Sequence, residues 1–328
     1  MSLELDFDLG EALEEQGLLE LDSDLSEADS TLLKSVLARI IMAEDQAPTA
    51  AESLLVVKDI LKLSTVLNDG FEFEGADALC RAGQALVNAD ASGEAQLAQR
   101  EVALLLIRAE AARGLEEFED AMDHSRAAIL LLADEAFEMP DDKRKLSQAG
   151  AYMDVSQTAM MIDNLDQALK SAQAALSLYQ GAGDKTFVGK ANEQIADVKG
   201  QMGDRDEAIG HINKAVEIYA EAQDMPSLSA AFARLGQVQM DGRKWEAAEQ
   251  AVLPALAAAP KADEKTGERS HEFDGAMMAL VRLVKAQPDR REILVHRVAE
   301  VAELSAGKVS ALLVQFEGLS EMGLGGFE

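Results

Sequence analysis

Four histidines and one cysteine are the residues of this chain best suited to metal binding or nucleophilic catalysis. His124, His211, His271 and His296 occur singly, without the His-Glu-x-x-His or Cys-His spacing that brings ligands to one metal ion. Cys80 lies in an alanine-rich helical stretch, which predicts a buried and inert thiol. The 60 Asp and Glu residues are too numerous to single out a general acid and base. We therefore predict no catalytic residue and no metal site.

The stretch from Gly181 to Lys190 contains glycines and a lysine, as a phosphate-binding loop does. The spacing to Gly189 and Lys190 is wrong for such a loop, Ala191 stands where a Ser or Thr binds Mg²⁺, and no strand precedes it. We interpret it as a turn between repeats, and we predict no nucleotide or other cofactor.

A recurring pattern of small residues organises the middle of the chain. Ala168, Ala208 and Ala248 follow one another at a period of about 40 residues, and each is followed seven residues later by another alanine. A small residue recurs at one helical position where a neighbouring helix packs too closely for a larger side chain. The same pair begins at Ala121 and at Ala78, with somewhat longer intervals. The pattern predicts five helix-turn-helix units.

The last of these units resembles the tetratricopeptide repeat (TPR) family. The residues at that family's spacing are Phe232, Leu235, Gly236, Ala248, Ala255 and Pro260. Earlier units match less fully, and Thr65 and Val66 take the Leu-Gly positions of the Ala78 unit. The resemblance spans residues 49–260. Its step of about 40 residues is similar to the long repeats of kinesin light chain and cell-polarity adaptors, and differs from the co-chaperone type, which repeats every 34 or so.

Composition agrees with a helical chain, because 48% of the residues are hydrophobic and only 4% are aromatic. We predict an all-α fold, a right-handed TPR-like solenoid of helical hairpins with a helical C-terminal cap. The expected domains are an acidic disordered leader (1–29), an N-terminal helix (30–48), the repeat array (49–260), and capping helices with an amphipathic last helix (261–328).

The formal net charge of −30 restricts the partners. Nucleic acids and anionic lipids are bound by concentrated Lys and Arg, which this chain lacks, so we expect no nucleic-acid ligand and a basic or amphipathic protein or peptide instead. The segment before Lys34 holds 11 acids and no Lys or Arg, and forms either a solubilising tail or a docking motif. No apolar run is long enough to span a membrane and the start is not a signal peptide, so we expect a cytoplasmic protein.

The resemblance also implies a binding groove, because the first helix of each TPR pair lines the concave face. Carried over to this chain, the groove positions are Met153, Gln157, Met160, Met161, Glu193, Asp197, Gln201, Gln237, Met240 and Asp241. The basic clamp of co-chaperone members has no counterpart here. Methionines suit a partner of variable shape, although simple filling of the superhelix is the alternative interpretation.

The last predicted helix is strongly amphipathic and is a candidate docking helix. Its apolar residues are Val309, Leu312, Leu313, Phe316 and Leu319. From these features we predict a non-enzymatic scaffold or adaptor that binds a protein segment in the groove. One alternative is a homo-oligomer in which this helix or the acidic leader occupies a neighbouring groove. Another is a non-catalytic subunit of an enzyme complex.

Overall fold

The computed structural model describes residues 25–45, 48–89, 95–134, 137–260 and 269–321, and within them every regular element is helical. The helices are α1 (Glu27–Asp45), α2 (Ala50–Asp69), α3 (Phe73–Asn88), α4 (Ala95–Gly114), α5 (Phe118–Ala133), α6 (Asp141–Met161), α7 (Leu165–Ala182), α8 (Lys185–Gln201), α9 (Arg205–Ala222), α10 (Met225–Asp241), α11 (Trp245–Ala258), α12 (His271–Ala286), α13 (Arg291–Val301) and α14 (Ala306–Glu321). A short 3₁₀ helix, Pro288–Arg290, precedes α13. The all-α prediction is confirmed. Most of the predicted acidic leader lies outside the described residues.

The helices form two compact units, and the chain passes from one to the other between Ala182 and Gly183. In unit 1, antiparallel hairpins are formed by α2 with α3, α4 with α5, and α6 with α7. In unit 2, α8 pairs with α9 and α10 with α11, and α12 to α14 follow. The five predicted helix-turn-helix units are therefore present. In unit 1, the first helices of successive hairpins contact one another, α2 with α4 and α4 with α6, so they form one layer. In unit 2, the first helix α10 contacts the cap helix α12.

Side chains that cap helix N-termini mark where several helices begin. Thr49 and Glu52 form a reciprocal capping box at the start of α2. The side chain of Asp184 accepts a hydrogen bond from the amide of Phe187, and Asp224, at the same place in the next repeat, does so for Ser227. Each satisfies an amide that the first helical turn leaves unpaired. Asp184 and Asp224, which lie 40 residues apart, are thus helix caps.

The turn inside each hairpin has the same backbone in all five hairpins. One residue per turn has a left-handed φ of 56–88°, and these residues are Phe71, Glu116, Asp163, Gly203 and Arg243. The amide of the next residue then donates to a carbonyl five residues earlier, at 2.8–2.9 Å, as in Glu72 to Leu67 and Lys244 to Gln239. This bond closes the helix C-terminus in a Schellman arrangement. Glycine suits the position, yet only one of the five is glycine.

The small-residue register is confirmed in four hairpins and corrected in the first. Ala121, Ala168, Ala208 and Ala248 are each the fourth residue of a second helix and are fully buried. The fourth residue of α3 is Ala76, so the pair there is Ala76 and Gly83, and the predicted pair beginning at Ala78 is wrong by two positions. The reason is that α3 is rich in small residues, which offered more than one pair at the same spacing.

A second small residue lies twelve positions before each register alanine, on the first helix. These residues are Ser64, Ala109, Ser156, Ala196 and Gly236, and all are buried. A Cβ at Gly236 would come within 2.7 Å of Cγ2 of Val252, so the two helices approach too closely for a side chain there. In the first hairpin the position belongs to Ser64, and the predicted assignment to Val66 is wrong for the same two-residue reason.

The last three helices cap unit 2. Val309, Leu313 and Phe316 of α14 are fully buried against apolar residues of the preceding helices, and Leu312 and Leu319 are partly buried beside them. The apolar face of this helix therefore covers the core of its own unit, as the predicted helical cap requires, and its role as a docking helix stays a prediction.

Ion pairs reinforce the cap. The buried carboxylate of Glu249 on α11 binds Arg290, at 2.7 Å between Oε2 and Nη2, and Arg297 on α13. Arg291 on α13 makes a two-pronged contact with Glu317 on α14. The helices of the cap therefore have polar attachments as well as apolar ones. In the described part of the chain, no helix combines the length and apolarity that crossing a bilayer requires.

Candidate functional site

The predicted groove residues of unit 1 lie on one helix, α6. Met153, Gln157 and Met161 follow one another at intervals of four, so they share one face of that helix. Met153 and Gln157 are half-buried, and Met161 is 56% exposed at the helix C-terminus. Met160 is half-buried. We call the exposed side of α2, α4 and α6 the first-helix face of unit 1.

Polar contacts join the first helices of unit 1 from hairpin to hairpin. The side-chain amide of Asn68 on α2 donates to the carbonyl oxygen of Ile107 and to Oε2 of Glu110 on α4, both at 3.2 Å. Arg113 on α4 binds Asp154 on α6 at 3.2 Å between Nη1 and Oδ1. Burial raises the pKa of Asp154 to about 6, although the Arg113 charge opposes the shift.

The corresponding contacts in unit 2 involve two predicted groove acids. Arg234 on α10 binds Asp197 on α8, and its Nε lies 3.7 Å from Oε1 of Glu193. The hydroxyl of the buried Tyr219 donates to Oε2 of Glu193 at 2.8 Å. Burial raises the pKa of Glu193, with Arg234 opposing it, and burial also raises the pKa of Tyr219. Glu193 and Asp197 thus have their partners inside the fold.

The remaining predicted groove residues of unit 2 are split between surface and core. Asp241 is exposed and lies 3.4 Å from Nη2 of Arg282 on α12, with the amide of Gln237 at 3.5 Å from the same carboxylate oxygen. Gln201 is exposed at the end of α8. Met240 is only 6% exposed and packs in the apolar core with residues of α11 and α12. The assignment of Met240 to the groove is therefore wrong, because the cap uses it as core.

Solved structures show which fold this arrangement represents. BtubC (BKLC) from P. vanneervenii superimposes with a TM-score of 0.57 at 16% identity, over 70% of this chain and 90% of its own. Aspartyl phosphate phosphatase F from Bacillus subtilis gives 0.54 at 15% identity, over 98% and 91%. The quorum sensor NprR from B. thuringiensis, in its apo form, gives 0.54 at 12% identity, over 96% and 82%. No family model and no curated protein sequence matches the chain.

The chain has a TPR-like fold. Identities of 12–16% show the fold alone. The closer resemblance to kinesin light chain and polarity adaptors stays a prediction.

The arginines are the residues of this TPR-like fold that the sequence interpretation missed. Arg113 and Arg234 lie on first helices and Arg282 lies on the cap helix α12, and each binds an acid on a first helix about one repeat length away in sequence. The sequence signal for these ion pairs is a basic and an acidic residue about one repeat length apart. The signal is difficult to recognise because Arg113 precedes its acid in the sequence, whereas Arg234 and Arg282 follow theirs.

Proposed function

We propose that this protein is a non-catalytic adaptor that binds a protein segment on the first-helix face of unit 1. The observation that carries the proposal is the row of Met153, Gln157 and Met161 along α6, in which a partly exposed methionine stands at each end of an amide. Methionine side chains repack around partners of different shape, and a neighbouring amide fixes backbone groups of a bound segment.

The fold is compatible with an adaptor and does not by itself decide the function. Helical repeats present extended inner surfaces, and proteins with this architecture use them to hold other chains. Two of the structural neighbours carry the names of a quorum sensor and of an aspartyl phosphate phosphatase, so the architecture occurs in proteins named for sensing and for an enzymatic activity. The adaptor proposal therefore depends on the residues of this chain.

The chemistry of the partner follows from the face itself. Asp154 is neutralised by Arg113, so apolar contact with the methionines supplies the affinity. The net charge of −30 favours encounter with a basic partner at low ionic strength. We propose an amphipathic segment with basic residues on its outer side, in a cytoplasmic setting. Self-assembly through α14 is disfavoured, because its apolar face is buried in its own unit.

Site-specific photocrosslinking tests the proposal. A photoreactive side chain at position 161 is compared with one at Met42, a methionine on α1 that is 70% exposed. A partner captured from position 161 alone is then purified, and its dissociation constant is measured with the double variant Met153→Ala/Met161→Ala and with the control Met42→Ala. We expect at least tenfold weaker binding for the double variant and no weakening for the control. Equal affinities for the double variant and the wild type would contradict the proposal.

A further inference from the structure

A row of apolar side chains lies at the turns of unit 1, separate from the first-helix face. Phe71 in the α2–α3 turn is 79% exposed, and Ile162 in the α6–α7 turn is 46% exposed. Leu115, half-buried, occupies the α4–α5 turn between them at the position equivalent to Ile162. An exposed apolar patch with polar residues around it is one mark of an interaction surface.

Contacts between hairpins show that these turns form one edge. A Cβ at Gly114 would lie 2.4 Å from the ring of Phe73, so the first turn packs directly on the end of α4. The ring of Phe71 meets that of Phe73 edge-on, with 6.0 Å between centroids. The third turn follows α6, which α4 contacts. Packed helices are about 10 Å apart, so the row from the first turn to the third is about 20 Å long.

The charge around the row has one sign. The three turn segments 69–75, 114–120 and 161–167 contain nine Asp and Glu and no Lys or Arg. Among the described residues, none of these nine carboxylates has an ion-pair partner. Eight of the nine are exposed. Carboxylates held together without counter-charges repel one another, and a basic ligand relieves that repulsion.

We propose that this turn edge of unit 1 is a docking surface for a basic amphipathic helix of a partner protein. An apolar stripe on that helix covers Phe71, Leu115 and Ile162, and its Lys and Arg residues face the carboxylates. A length of about 20 Å corresponds to roughly 14 helical residues at 1.5 Å per residue. The surface meets the first-helix face only at Met161, the last residue of α6, and its proposed role does not depend on that face.

A defined probe tests this surface on the full chain. The probe is a fluorescein-labelled 18-residue peptide of Lys and Leu with its leucines on one helical face, and fluorescence anisotropy gives its dissociation constant. A peptide of the same composition with scrambled order has no apolar face. We expect the ordered peptide to bind at least tenfold more tightly than the scrambled one. Equal binding of the two peptides would mean diffuse charge attraction, and would overturn the proposal.

A turn variant and a control variant show where on the protein the peptide binds. Phe71→Gly removes the exposed ring at a left-handed position that glycine adopts without strain, so the fold is retained. The double variant Phe71→Gly/Ile162→Ala is expected to weaken binding of the ordered peptide at least tenfold. Leu130→Ala is the control, because Leu130 is 72% exposed on α5. Unchanged binding by the turn variant would overturn the proposal.

The same probe separates this surface from the one proposed for the adaptor function. Met153→Ala/Gln157→Ala, on α6 and outside the turn segments, is expected to leave the affinity for the ordered peptide unchanged. If that pair weakens binding of the peptide and the turn pair does not, the first-helix face binds basic helices and the turn edge does not. Failure of the turn edge in this way leaves the adaptor proposal standing.

Discussion

The hairpin turns of the two units share a backbone and differ in charge. In unit 2, the segments 201–207 and 241–247 contain five acids and three bases, whereas the three equivalent segments of unit 1 contain nine acids and no base. Four of the five unit 2 acids have ion-pair partners: Asp204 and Glu207 bind Lys199, Asp206 binds Lys244, and Asp241 binds Arg282. Unit 2 satisfies its turn charges internally, and unit 1 leaves them to solvent or to a partner.

The difference shows which positions the fold constrains. The left-handed residue and the Schellman hydrogen bond recur in both units because every hairpin must reverse direction within a few residues. The side chains at that turn point outward and face no such requirement. Gly203 and Arg243 in unit 2 correspond to Phe71, Glu116 and Asp163 in unit 1. The backbone of the hairpin turns is thus the same in both units, whereas the side chains at the turns differ.

The shared skeleton predicts equal sensitivity to overpacking, which is the largest effect we expect. Ala121→Leu in unit 1 and Ala208→Leu in unit 2 place three extra carbons where the present side chain is fully buried, and each should cost roughly 1–3 kcal/mol of unfolding free energy. Ala133→Leu and Ala220→Leu, at exposed positions of the same two helices, are the controls. Urea denaturation gives the four values. A costly change in only one unit would show that the units do not pack alike.

The partly buried Arg113–Asp154 ion pair of unit 1 predicts that stability depends on pH. Because the pKa of Asp154 is raised from 3.8 to about 6, the folded state binds a proton more readily than the unfolded state. This group therefore stabilises the fold at low pH and loses that contribution as pH rises between those two values. Asp154→Asn should gain stability relative to wild type between pH 4.5 and pH 7.5, by about 1–2 kcal/mol. Denaturant midpoints at both pH values measure it. A constant difference between the two proteins would rule out the raised pKa.

The charge difference between the units predicts two smaller effects of unequal size on stability. Arg234→Met leaves Glu193 and Asp197 without their counter-charge and should cost about 1 kcal/mol, less than for a fully buried pair because solvent reaches Arg234 and Asp197. Glu116→Gln at the unit 1 turn breaks no ion pair and should change stability by less than about 0.5 kcal/mol. Thermal unfolding of both variants checks this. A larger loss of stability for Glu116→Gln would show that Glu116 has a structural role at the turn edge.

The repeat could be predicted from the sequence because small buried residues at fixed spacing leave a direct trace. Ala168, Ala208 and Ala248 were correct to the residue, and Asp184 and Asp224, which cap the first helices of two successive hairpins, recur at the same 40-residue interval. The predicted register of the first hairpin was displaced by two positions, because Gly83, and not an alanine, follows Ala76 at the seven-residue spacing. Any small residue fills such a contact, so a search for alanine alone is too narrow.

The candidate site was predicted less well, since exposure depends on what packs against each helix. Met240 and Met160 occupy equivalent positions, three residues before the left-handed turn residue, yet Met240 is buried in the core and Met160 is half-buried. The covering of Met240 by the cap is a property of three-dimensional packing. The same is true of the α14 apolar face, which the sequence presents as amphipathic without saying what it covers.

The sequence by itself determined the helical repeat, its period and the acidic balance, because each depends on residue types and their spacing along one chain. The tertiary structure decided which charges are neutralised and which apolar side chains remain in water. Arg113 and Asp154, or Arg234 and Asp197, meet only when separate hairpins stack, since each pair is separated by about one repeat length of sequence. The acids of the unit 1 turns find no such partner in the described residues. That distinction, between charges used inside the fold and charges left at its edge, arises only from packing.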